Sequence, residues 1–140
     1  MFDLPVKDLM EPRKFLTAVP ETTVRQAANL MAGANAGAVM VVANERLVGI
    51  FTERDVVFRV IAQGRDAEVT RLTEVMTPAP KTIEPDRSFG HALLLMQENG
   101  FRHVPVIENG RPIGIVSSRN AMDPDLEEFV WEERRREHLR

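Results

Sequence analysis

Apolar residues recur along this chain at two spacings, and the same succession of spacings is written twice. Val24, Ala27, Ala28 and Met31 fall at i, i+3, i+4 and i+7, and Phe89, Ala92, Leu93 and Met96 repeat the pattern. That period predicts one amphipathic helix in each half, with Thr22 or Thr23 and Ser88 placed to cap the starts. Two β-rich runs follow each helix: "AVMVVA" and "RLVGIF" first, "HVPVI" and "RPIGIV" second. Asn44-Glu45 and Asn109-Gly110 divide the runs, and Asn-Gly is a favoured hairpin turn. Short extended pieces, "LTAV" at 16–19 and "KTI" at 81–83, precede the helices. Before these, short helical lead-ins end at Met10-Glu11-Pro12 and Met76-Thr77-Pro78, since a residue followed by proline is steered out of helix. A last helix, "ERDVVFRVIA", offers Val56, Val57, Val60 and Ile61 as a core-facing stripe. Asp123-Pro124 cuts its second-half counterpart short.

The succession reflects an internal repeat. At an offset of 65, 12 of the 41 aligned pairs between residues 15–55 and 80–120 are identical, with no gap. "DLMEP" (8–12) matches "EVMTP" (74–78) at an offset of 66, so the first copy carries one extra residue. Each copy reads as β-α-β-β-α and is too small to bury its own sheet faces. An α/β (α+β) fold follows, in which the two β-α-β-β-α copies packed sheet to sheet would bury both faces. The boundaries fall at 1–62 for the first repeat, 63–71 for a linker ("QGRDAEVTR"), 72–122 for the second repeat and 123–140 for a helical tail.

Composition narrows the chemistry. The 140 residues are 44% hydrophobic and 28% charged, an ordinary globular balance with material for a core. A net charge of −3 argues against gripping nucleic acid or an anionic membrane. With no cysteine there is neither a disulfide framework nor a thiolate site, which fits a cytoplasmic protein. The opening residues lack the pattern of a signal peptide, and no apolar run reaches the length of a membrane span. His91, His103 and His138 are scattered without metal-ligand spacing, so no metal is required. No nucleophile–base pair or Gly-rich phosphate loop is present, so catalysis is not expected.

Chemistry concentrates where strand meets helix. "GIFTERD" (49–55) returns as "GIVSSRN" (114–120), keeping glycine, isoleucine, a hydroxyl and arginine but replacing Asp55 by Asn120. Two readings stand side by side. Thr52 with an acid three residues on is a capping box that satisfies backbone donors. The same groups also suit a nucleotide. A helix N-terminus and Arg54 favour phosphate, Asp55 would accept both hydroxyls of a ribose diol, and apolar strand residues would sandwich a base.

The duplication, the "LM-x-P" lead-ins and the paired Gly-h-x-Thr/Ser-x-x-Asp endings resemble a tandem pair of cystathionine β-synthase (CBS) domains, a Bateman module, over about residues 4–122. The resemblance implies two clefts between the halves that take adenosine-containing ligands, with AMP, ADP or ATP foremost and NAD or S-adenosylmethionine as further choices. It also implies pseudo-two-fold symmetry between the two halves, a homodimer and a regulatory, signal-transducing role. Cleft one would use Ile50, Thr52, Arg54 and Asp55 against Thr82, Ile83, His103, Val104 and Pro105. Asp55 would hold the ribose, Thr52 and Arg54 the phosphate, and Thr82, Ile83 and the strand at Val104 the adenine. Cleft two would use Ile115, Ser117, Arg119 and Asn120 against Thr17, Ala18, Ala38 and Met40. There Asn120 lacks the charge and Ala38 stands where the other half has His103, so weaker binding is expected. A ligand-free dimerisation scaffold is the alternative reading. The tail reads either as an exposed terminal helix held by Leu126, Phe129 and Val130 or as a docking segment for an effector protein.

Overall fold

Both hairpins close through two consecutive residues in the left-handed region: Asn44 and Glu45 (φ 52° and 67°), then Asn109 and Gly110 (φ 54° and 79°). This is the turn whose twist matches that of the flanking strands. The computed structural model describes residues 2–10, 15–121, 132–133 and 135–137. Strands β1 (Leu16–Ala18), β2 (Ala38–Ala43), β3 (Arg46–Thr52) and β4 (Thr77–Pro78) form one sheet in that order, and β5 (His103–Glu108) and β6 (Arg111–Ser117) form a second. β1 runs parallel to β2, while β2–β3, β3–β4 and β5–β6 are antiparallel. The expected piece at 81–83 contributes a single parallel bridge from Ile83 to Val106 rather than a strand.

The amphipathic helices form where the spacing placed them. Helix α1 (Val24–Ala34) buries Val24, Ala27 and Met31 and is capped by Thr23 in a capping box with Gln26. Helix α4 (Phe89–Asn99) buries Phe89, Ala92 and Met96, and the Ser88 hydroxyl accepts from the His91 amide. Each packs on one face of its own sheet. On the other face of the first sheet Ala38, Met40 and Ile50 are buried too, on the side where β3 touches β6.

The stripe expected after Thr52 is corrected. A single α-turn, α2 (Glu53–Asp55), passes into a π-helix over Val56–Ile61. Val60 is fully buried, but Val57 and Ile61 are 55% and 67% exposed. The Ala62 amide bonds the Val57 carbonyl five residues back. This wider winding rotates two of the four positions off the face that an α-helix would present. The tail proposed over 123–140 lies outside the described residues except for 132–133 and 135–137, which are helical. The Asp123-Pro124 interruption and Glu11-Pro12 also lie outside them.

The lead-ins do not cover their own repeats. Val6, with Leu9 and Met10 packed beside it, belongs to the core of Ile83, Phe89, Ala92, Met96, Val104, Val106 and Val116. Leu72 and Val75 belong to the core of Val24, Ala27, Met31, Val39, Val41, Phe51 and Val60. The exchange is reciprocal bond for bond. Val6 and Phe89 amides meet the Arg87 and Leu4 carbonyls (2.8 Å each), as Leu72 and Val24 amides meet those of Thr22 and Thr70 (2.9 Å each). Pro5 bridges Ser88 as Arg71 bridges Thr23. Each lead-in ends in a methionine whose sulfur sits where a Cβ on a strand glycine would go: Met76 on Gly49 and Met10 on Gly114. That close approach explains a glycine in the middle of both strands.

Gly49→Ala is expected to destabilise the fold by about 1–3 kcal/mol through overpacking. Met76→Ala in the same chain should recover part of that loss. Urea denaturation of both single variants and the double measures the coupling, and strictly additive losses would show that Met76 does not seat on Gly49.

Candidate functional site

The motif at the end of β3 builds its own cap. Asp55 is 7% exposed. Its Oδ2 accepts from the Thr52 amide at 2.9 Å and the Thr52 hydroxyl at 3.2 Å, and its amide donates back to the Thr52 hydroxyl at 3.3 Å. The capping-box geometry is therefore present. It occupies one carboxylate oxygen. The other, Oδ1, lies 3.4 Å from Arg59 Nε in an i,i+4 ion pair. Each carboxylate oxygen offers two lone pairs, so Oδ1 retains capacity for a hydroxyl.

Beside this carboxylate lies a cavity of about 600 Å³, within the usual range for small-molecule sites. Of the cleft-one residues, Ile50, Thr52, Arg54, Asp55 and His103 line it. Thr82, Ile83, Val104 and Pro105 do not: Ile83, Val104 and Pro105 are buried in the second repeat and Thr82 is half-buried. The lining also contains Phe58, Arg59, Thr77, Ala79, Pro80, Lys81, Asn99, Gly100 and Phe101, none of which was drawn from the motif. Arg59 carried a readable signal, standing four residues after Asp55 on one helix face. Thr77 to Lys81 arrive because the exchanged lead-in pairs with β3, Ile50 opposite Thr77 and Gly49 opposite Pro78. Ala79, at φ 44° with its amide on the Val48 carbonyl (3.1 Å), turns the chain along the cavity edge.

The cations differ in their commitments. Arg54 reaches across to the second repeat, donating to the Gly100 carbonyl (3.4 Å) and lying 5.1 Å from the Phe58 ring centre. Arg59 donates to the Val75 and Met76 carbonyls at 3.2 and 3.1 Å. Lys81 is exposed. At the helix start expected to favour phosphate, two amides are already used: Glu53 N donates to the Gly37 carbonyl (3.0 Å), and Asp55 N to the Thr52 hydroxyl.

His103 and Glu53 converge over Gly37, where an added Cβ would stand 3.4 Å from His103 Nε2 and 3.0 Å from Glu53 Oε1. Burial pushes the His103 pKa down from its ordinary value of 6.5; Glu53 opposes this, while Arg119 and Arg102 reinforce it.

The second motif repeats the cap with an amide. Asn120 Oδ1 accepts from the Ser117 amide at 2.8 Å and the Ser117 hydroxyl at 3.4 Å. Its one side-chain acceptor is thereby engaged, leaving NH₂ donors for a ligand. Ala38 and Met40 are buried, Thr17 and Arg119 exposed, and Ala18 and Ile115 half-buried. No group of three or more potential metal ligands clusters among the described residues. No helix there is long and apolar enough to cross a membrane.

Two repeats with exchanged lead-ins and a cleft between them define a class, and comparison with known proteins agrees. The CBS domain family matches residues 6–62 and 72–124, so this chain belongs to that family and carries a tandem pair, the regulatory CBS module. CBS domain-containing protein YhcV of Bacillus subtilis is 37% identical over 112 residues, covering 80% of this chain and 79% of that protein. The meiotically up-regulated gene 70 protein of Schizosaccharomyces pombe is 39% identical over 71% of this chain, which spans only 14% of that relative's length. Among solved structures, the CBS domain pair of protein MJ0100, in complex with 5′-methylthioadenosine and S-adenosyl-L-methionine, superposes with a TM-score of 0.75. It is 27% identical, covering 84% of this chain and 91% of that one.

A histidine whose pKa is depressed on folding lowers stability as pH falls. Below about 6.5 the unfolded chain takes up the proton first, so it binds more protons than the native state. Urea midpoints are expected to drop as pH is lowered below about 6.5, less steeply in His103→Gln. Parallel curves for the two proteins would remove His103 from the account.

Proposed function

We propose that this chain is a cytoplasmic regulatory sensor that binds an adenosine-containing ligand in the cleft beside Asp55, AMP, ADP or ATP before NAD or S-adenosylmethionine. The observation that carries the reading is the composition of one cavity. A buried carboxylate, three cations (Arg54, Arg59, Lys81) and an apolar wall that includes Ile50, Phe58, Pro80 and Phe101 are drawn from both repeats. Such a wall suits a base, the carboxylate a ribose diol, and the excess of positive charge an anionic phosphate. Thr52 and His103 would complete the polar contacts. The complex of the MJ0100 pair with adenosyl compounds supports the ligand class. Asn120, with its acceptor already used in its own cap, supports a weaker second cleft. Two copies would pair through exposed apolar side chains such as Val57, Phe58 and Ile61.

A second reading, a ligand-free dimerisation scaffold, draws on the fact that Asp55 already has Thr52 and Arg59 as partners. Thermal unfolding against AMP, ADP, ATP, NAD and S-adenosylmethionine separates the two. A ligand at a hundred times its dissociation constant stabilises by about 2.7 kcal/mol. A hydrogen bond to a charged group is worth roughly 1.5–3 kcal/mol, so Asp55→Asn, which keeps a capping oxygen, should weaken binding about ten- to hundredfold. Asn120→Ala should change affinity by less than about threefold, under 1 kcal/mol. No shift with any compound supports the scaffold, and equal sensitivity at both positions contradicts the ranking of the clefts.

A further inference from the structure

We propose that Arg59 is a positioning residue that couples occupancy of the cleft to the exchanged segment Leu72–Met76, making that segment the part of the molecule that reports the ligand. The inference rests on the reading above. Arg59 belongs to the first repeat, yet its guanidinium joins three groups from two places. Nε faces Asp55 Oδ1 at 3.4 Å, and Nη1 donates to the carbonyls of Val75 (3.2 Å) and Met76 (3.1 Å). Those carbonyls end the short helix α3 (Leu72–Val75), where the last C=O groups lack intrahelical partners. The arginine of one repeat thus caps a helix that the other repeat's sequence supplies, while its own chain forms part of the cavity wall.

The location carries consequences in both directions. Asp55 Oδ1 is the oxygen left for a ribose hydroxyl, and it is the oxygen that Arg59 faces. A diol bound there shares the negative charge that draws Arg59 inward, and the Nη1 bonds to Val75 and Met76 shift with the guanidinium. Met76 in turn presses on Gly49, and Thr77-Pro78 continues as β4 against Ile50 and Gly49. Movement of this segment therefore reaches the linker on one side and the cavity edge on the other. By linkage, a partner that displaced Leu72–Met76 would change ligand affinity by the same factor. The π-helix that carries Arg59 adds support, since such turns occur frequently at functional sites.

A purely structural cap at α3 would show none of this coupling, so the test reads coupling rather than stability. AMP and S-adenosylmethionine serve as probes because both carry the ribose diol. Amide hydrogen exchange over residues 72–78 is measured in free and probe-saturated protein, with affinity from calorimetry. In the native chain saturation should change exchange in this segment by at least about fivefold. Arg59→Lys keeps a cation for Asp55 but cannot span both carbonyls. Brought to saturation with probe, it should show no exchange response at 72–78, however much its affinity falls. Arg59→Ala should lose the response and roughly tenfold in affinity, about 1.4 kcal/mol. A full response in Arg59→Lys, or native protein that binds a probe with no response at 72–78, overturns the proposal and leaves the binding reading intact. If neither probe binds, ATP and NAD, which carry the same diol, take their place, and failure of the whole panel to bind the native chain ends both.

Discussion

The reciprocal seating of two methionines on two glycines governs this molecule. Met76 enters the space over Gly49, and Met10 that over Gly114. Each methionine belongs to a lead-in that completes the other repeat's core, through Val6 in one direction and Leu72 and Val75 in the other. Neither repeat closes its core alone. A flexible thioether fills an irregular gap well, and only a residue without a Cβ leaves that gap in mid-strand. The duplicated sequence thus yields an interlocked pair rather than two beads on a string.

The cleft is a by-product of that interlock. Because Thr77-Pro78 pairs with β3, the stretch from Ala79 to Lys81 runs past the end of the first sheet and becomes cavity wall. Arg54 crosses to the Gly100 carbonyl, and Arg59 ties the capped carboxylate to the exchanged backbone. The site is therefore held by the same contacts that hold the repeats together. On the proposed reading, a group bound among them would act on the relation between the halves as well as on local side chains, and would shift the module only by its differential affinity for two states.

The helices, hairpins and capping positions were legible because each depends on residues within a few positions of one another, and the repeat was legible from identities at an offset of 65. Val24, Ala27 and Met31 lie inward as their spacing indicates. Val57 and Ile61 do not, because a π-turn changes the period on which the stripe was read. The exchange of lead-ins was not legible. A proline-terminated turn states where a helix ends but not which core its apolar side meets. Hence Lys81 and Phe101 were missed at the cavity, while Ile83 and Val104 were placed there yet lie in the second repeat's core. Asp55 combines two features in one residue: a capping box readable from four letters, and a second oxygen, paired with Arg59, beside a cleft that only the folded pair creates.

The most direct test is a crystal structure of the chain grown with an adenosyl compound from the panel. The account predicts ribose hydroxyls within hydrogen-bonding distance of Asp55 Oδ1, with the phosphate or its substitute among Arg54, Arg59 and Lys81. Density confined to the cleft beside Ser117 and Asn120, or a cleft at Asp55 closed by its own side chains, would contradict it.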